Sequence, residues 1–115
     1  TPVQFALADF LEHRGHYLGL PAFYQAKRDY FVDRLAASRF RFKPCAGTYF
    51  QLLDYSGITD ARDLDYAREL TAKAGVASIP VSVFYGDETD DKVLRFCFAK
   101  DEATLARAAE ILCRI

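Results

Sequence analysis

Val93-Leu94-Arg95-Phe96-Cys97-Phe98 is the stretch from which the rest of the chain is best read. It alternates with period two, so Leu94, Phe96 and Phe98 share one face of a strand, and Val93, Arg95 and Cys97 share the other. A guanidinium standing among apolar neighbours needs an anionic partner. Its planar fork of donors matches a carboxylate or phosphate in bidentate fashion, and partial desolvation makes that pairing geometrically strict. Spacing alone leaves two readings of Arg95 open: an anion clamp, or an arginine on a solvated sheet face or in an internal ion pair. Cys97, flanked by two phenylalanines, reads as a small core hydrophobe.

Working outward, Asp101 opens a helix with Leu105, Ala108, Ala109 and Leu112 on its buried stripe, and Arg107 and Arg114 towards its negative end. On the other side, the acidic tract Gly86-Asp87-Glu88-Thr89-Asp90-Asp91 reads as a solvated turn. Val76 to Phe84 is apolar enough for a strand, with Pro80 confined to an edge, bend or strand end because it has no N–H for a ladder. Asp60 and Asp63 are candidate N-caps of a helix that runs to about Ala74 and stops at Gly75. Thr48 to Tyr55 is apolar on both faces, as expected of a covered interior strand, and Gly47 permits a turn ahead of it. Arg39 to Lys43 alternates basic and aromatic residues up to Pro44, which reads as a half-buried strand or, with a wider positive field, as a single-stranded nucleic-acid platform.

Leu20, Phe23, Tyr24, Phe31 and Leu35 form the apolar stripe of a long helix reaching Ala37, with Pro21 in its first turn. Pro2 to His13 is a short helix broken near Gly15. The order ααββαβ(β)α predicts an α/β chain of two layers: helices on a mixed, largely antiparallel sheet.

The 115 residues suffice for one domain, and 51% hydrophobic with 15% aromatic residues supply one core. No uninterrupted apolar run is long enough to span a bilayer. A formal charge of −1 gives little general attraction to nucleic acid or anionic lipid, so a partner must be recognised by a local site. Cys45, Cys97 and Cys113 form neither CxxC pairs nor an even disulfide set; they suit a reducing cytosol, and a cytoplasmic location is expected. His13 and His16 lack a third ligand, and the acidic tract lacks the spacing of a calcium loop, so no metal is expected. No Gly-rich phosphate loop, GxSxG or spaced Cys/His couple occurs.

Three collinear stretches carry a resemblance. Ile79 to Lys100 (IPVSVFYGDETDDKVLRFCFAK) with Asp101-Glu102-Ala103-Thr104-Leu105, Pro44-Cys45-Ala46-Gly47-Thr48-Tyr49-Phe50, and Thr1-Pro2-Val3-Gln4 with Ala6 and Ala8 resemble the C-terminal part of class I pyridoxal-phosphate aminotransferases. The likeness is greatest to the branch of methionine aminotransferases and kynurenine aminotransferase/cysteine-conjugate β-lyases. It implies the small domain of a fold-type I enzyme: residues 1–38 a helical segment containing the inter-domain helix, residues 39–115 the α/β part, and the catalytic large domain absent. The lack of any Met agrees with truncation.

The resemblance further implies that Arg95 binds the substrate α-carboxylate and that Gly47, Tyr49 and Phe84 lie near the cleft. It implies pyridoxal 5'-phosphate as cofactor, amino acids and 2-oxo acids as substrates, and a homodimer when full-length, with no nucleic-acid or membrane partner. Lys27, Lys43, Lys73, Lys92 and Lys100 are all outside the family's Schiff-base context, so no catalytic residue is expected in these residues and the chain alone should be inactive. The competing readings are a stand-alone module for small carboxylates and a protein-interaction domain using exposed aromatics.

Overall fold

In the computed structural model, which describes residues 1–115, α1 (Pro2–Glu12) and the single turn α2 (Gly15–Leu18) lead into α3 (Leu20–Leu35). Prolines stand in the first turns of α1 and α3, where a missing N–H leaves no helix bond broken. The chain then forms β1 (Phe50–Asp54), α4 (Asp63–Glu69), β2 (Ile79–Pro80), β3 (Val93–Cys97) and α5 (Glu102–Cys113). β3 is the central strand of a three-stranded sheet, ordered β1-β3-β2, and both pairings are antiparallel. The architecture is therefore α/β in two layers, with a sheet that is wholly antiparallel rather than mixed.

Register explains which side is buried. Leu53, Leu94 and Pro80 lie opposite one another and face inward with Phe96 and Gln51; Leu52, Arg95 and Ile79 form the corresponding outer row. The inward row packs against Phe31 and Leu35 of α3, Tyr66 and Ala67 of α4, and Leu105, Ala109 and Leu112 of α5. α5 starts as its sequence predicts, with the Asp101 carboxylate accepting a 2.7 Å bond from the Thr104 N–H. α4 continues into a π-helical turn, Leu70–Ala74, and ends at Gly75, whose φ of 76° is left-handed. The widened turn lets Leu70 and Val76 on either side of the stop both reach the core.

Several expectations are corrected. Residues 39–43 make no strand, only a single bridge from Arg41 to Asp54, although Phe40 is buried and meets Phe96 edge to face. Within the run 48–55 only Phe50–Asp54 is strand, and it is an edge strand with Leu52 48% exposed, not a covered interior one. Val76–Phe84 contributes only two residues to the sheet before turning into a 3-10 helix at Val81–Phe84; Pro80 does lie on an edge strand. Neither Asp60 nor Asp63 is the N-cap of α4, which is Arg62. Cys97 is half-buried on the outer face, outside the core.

The stripe predicted for α3 is buried only at Phe31 and Leu35; Leu20 and Phe23 are exposed. α1 and α2 bury no residue at all, and are held by short-range contacts such as Phe10 stacked on His16 at 5.4 Å. The radius of gyration of 16.9 Å exceeds the about 13 Å of a compact chain of this length, because these helices project from the core. No helix is long and apolar enough to cross a membrane.

Candidate functional site

The outer face of the sheet centres on Arg95. Period two in β3 turns its side chain away from Leu94 and Phe96, and the register sets it between Leu52 of β1 and Ile79 of β2. The guanidinium carbon lies 3.9 Å from the centre of the Phe50 ring and 4.8 Å from that of Phe84. Two aromatic faces thus hold the fork in place through cation–π attraction. Arg95 enters none of the ion pairs, which are Arg28–Asp29, Lys73–Glu69, Lys92–Asp90 and Arg114–Glu110. Its Nε is fully covered and has no hydrogen-bond partner. The internal ion pair anticipated as one alternative is therefore not present; the cation is stacked, oriented and without an acceptor.

Phe84 is 60% exposed, so its ring has one side on Arg95 and the other in the open. Tyr49 sits next to the same arrangement: its ring is 4.4 Å from Phe50 and 6.0 Å from Tyr24. Gly47 and Tyr49 line an open groove of ≈ 490 Å³ with Tyr24, Arg28, Cys45 and Phe98. The structure therefore brings Arg95 and Phe84 together with Phe50, and Tyr49 touches this group through the Phe50 ring; Gly47 lies with Tyr49 in the neighbouring groove, which Arg95 and Phe84 do not line.

The turn expected at Gly47 is made elsewhere. It is Thr48 that takes a left-handed φ of 63°, a conformation β-branched residues rarely hold. The loop is fixed instead by buried Gln51, whose amide donates to the Lys43 carbonyl at 2.8 Å and accepts from the Cys45 N–H at 3.0 Å. Arg28 adds a 2.9 Å bond to the Cys45 carbonyl.

Phe50 is the residue that sequence reasoning missed. It pairs with Cys97, one row from Arg95 on the same face, and only the β1–β3 register reveals this. The remaining candidates are dispersed. His13 and His16 meet edge to face on the projecting helices, and Asp87 is occupied by Thr89, whose hydrogen bonds draw its carboxyl below the ordinary value.

Pyridoxal phosphate requires a free lysine amine and a phosphate cradle. Lys27 donates to the Lys100 carbonyl at 2.6 Å, Lys73 pairs with Glu69, and Lys92 bonds the Asp60 carbonyl at 2.8 Å; Lys43 and Lys100 are exposed and take no part in the Arg95 row. The N-terminal amides of α4 and α5 already face Asp63, Asp90 and Asp101, whose charges oppose a phosphate. The residues of this chain do not by themselves fit the cofactor.

Residues 1–112 match the family described as aminotransferase class I and II. Methionine aminotransferase of Escherichia coli K12 is 50% identical over 113 residues, covering 97% of this chain and 29% of that protein. Kynurenine–oxoglutarate transaminase of Dictyostelium discoideum is 32% identical, covering 100% of this chain and 32% of its own. Among solved structures, E. coli YbdL, whose structure and reactivity identify a methionine aminotransferase function, superposes with a TM-score of 0.93 at 49% identity, over 100% of this chain and 30% of that one. N-succinyldiaminopimelate aminotransferase of Mycobacterium tuberculosis gives 0.86 at 30% identity, over 98% and 30%. The chain spans about three-tenths of the length of these relatives. From α1 to the last turn of α5, it belongs to the class I and II aminotransferases.

Proposed function

We propose that Arg95 binds the α-carboxylate of an amino-acid substrate in a complete pyridoxal-phosphate aminotransferase of which this chain supplies the small domain. Residues outside these 115 supply the lysine and the phosphate cradle. The net reaction exchanges an amino group for a carbonyl oxygen: the donor amino acid becomes a 2-oxo acid while a second 2-oxo acid becomes an amino acid, and no external oxidant is required. Methionine, aromatic and glutamine-like amino acids are the proposed donors, and the apolar surroundings of the clamp support the first two: Leu52, Ile79 and Phe84 are all partly exposed about it. A homodimer and a cytoplasmic location belong to the same proposal.

The observation that carries this reading is the acceptor-free guanidinium held between Phe50 and Phe84 on the open sheet face. A carboxylate arriving there gains two charge-assisted hydrogen bonds with little loss of rotamer freedom, because the fork is oriented beforehand. Held at that end, the substrate has a fixed direction for its amino-bearing carbon, which is the positioning that proton removal there requires. In the complete enzyme, Arg95→Ala lowers kcat/KM in both half-reactions, since each begins with a 2-amino or 2-oxo carboxylate. Values unchanged in both remove Arg95 from the mechanism.

A further inference from the structure

Phe84 has little packing of its own, yet it must keep one face on Arg95. What fixes it lies behind the sheet face. Asp63, at the start of α4, is 1% exposed, and both of its oxygens are committed. Oδ1 accepts from the Ser82 hydroxyl at 2.7 Å and the Leu64 N–H at 2.8 Å; Oδ2 accepts from the Ser82 N–H at 2.8 Å. Ser82 lies inside the 3-10 turn Val81–Phe84, and its carbonyl accepts the Tyr85 N–H at 3.1 Å. Both backbone polar groups of Ser82 are therefore occupied, one by a buried carboxylate and one by the residue following Phe84. The Asp63 N–H in turn donates to Asp90 Oδ2 at 3.2 Å, and Asp90 Oδ1 accepts from the Lys92 N–H at 2.9 Å, directly ahead of β3. The start of α4 thus bonds to the segment carrying Phe84 and to the segment entering the strand that carries Arg95.

We infer that Asp63 is a positioning residue for the arginine clamp: through Ser82 it sets the turn that lays Phe84 on the Arg95 guanidinium. This rests on the carboxylate-binding reading above. Geometry supports a role beyond general stability. The carboxylate grips the 3-10 turn two residues before the ring, and that ring is 60% exposed, with only the turn and the cation to define it. Asp63→Asn keeps the shape, but in either orientation its amide N–H₂ meets a backbone N–H, that of Ser82 or that of Leu64, while the Ser82 hydroxyl can turn to donate or accept; one of the two backbone bonds is therefore lost. The grip between the start of α4 and the turn is loosened, and with it the wall that Phe84 gives the guanidinium.

The test uses the complete enzyme and two competitive inhibitors, 4-(methylthio)butanoate and its carboxamide. The ratio of their inhibition constants reports the carboxylate clamp and is independent of how much variant folds. Asp63→Asn is expected to reduce the carboxylate preference about fivefold while the amide binds as before, and to add nothing once Phe84 is Ala, because two groups acting through one contact are non-additive. A carboxylate preference equal to that of the unaltered enzyme, or a loss that adds in full to that of Phe84→Ala, overturns the inference. Should Asp63→Asn fail to fold, Ser82→Ala carries the same comparison: it keeps the backbone bond, and a smaller loss of preference is expected, with none counting against the latch. Arg95→Leu separates the two levels. Preference abolished there but intact in Asp63→Asn sinks the latch alone, and preference intact in Arg95→Leu sinks the clamp itself.

Discussion

Replacing Arg95 by Lys keeps the charge and removes the shape, which isolates what the sheet face contributes. The guanidinium stacks at 3.9 Å on Phe50 and 4.8 Å on Phe84; exchanging this planar stack for an ammonium forfeits about 0.5–1 kcal/mol. One of the two hydrogen bonds to a carboxylate is lost as well, about 1.5–2 kcal/mol for a charge-assisted bond. Together the loss is about 2–3 kcal/mol, or about 30- to 150-fold in kcat/KM at 1.4 kcal/mol per decade. Steady-state kinetics of the complete enzyme with methionine and with its 2-oxo acid should both show it, mainly as a raised KM, because the carboxylate is bound before and during the reaction alike. A variant within threefold of the parent in both directions would mean that a point charge suffices, and the argument from fork geometry would be wrong.

Two further outcomes are expected. Phe96→Ala removes a ring that is 3% exposed and meets Phe40 edge to face; it should cost about 3–5 kcal/mol in a urea titration, and a loss under about 1 kcal/mol would contradict the core described here. Asp90 feels burial that raises its carboxyl pKa, but the bonds from the Lys92 and Asp63 N–H groups and the Lys92 amine outweigh it and hold it below the ordinary value. A lowered folded pKa means stability complete above about pH 4 and lost as pH falls through the folded value. Asp90→Asn should therefore flatten the acid limb of the urea midpoint plotted against pH; an unaltered slope would show that the carboxylate contributes nothing to it.

Residues whose role is set by their own neighbours were legible in the sequence. β3 announces itself by strict alternation, Gly75 by its need for a left-handed stop, Asp101 by the N–H groups just beyond it. Failure came where a distant residue decides the outcome. Ser82 reads as part of a strand, but Asp63, nineteen positions earlier, takes its N–H and so removes a donor the ladder would use. Arg39 to Lys43 has the period of a strand, yet Pro44 has no N–H to extend the ladder and a single bridge to Asp54 is all that forms. The site divides in the same way. Period two places Arg95 on the outer face and leaves its role open, whereas the place of Phe50 beside it needs the register and the Asp63–Ser82 contact needs the tertiary fold.

The helix from Leu20 to Leu35 is buried at Phe31 and Leu35 and tied again at Lys27 and Arg28, so only its start projects, as a short lever. With Arg28 as the fulcrum, Leu20 lies about 12 Å away at about 1.5 Å per residue. A tilt of about 5° there would swing the far tip by about 1 Å. Small readjustments beneath the sheet are thereby magnified where the exposed rings of the first helices begin.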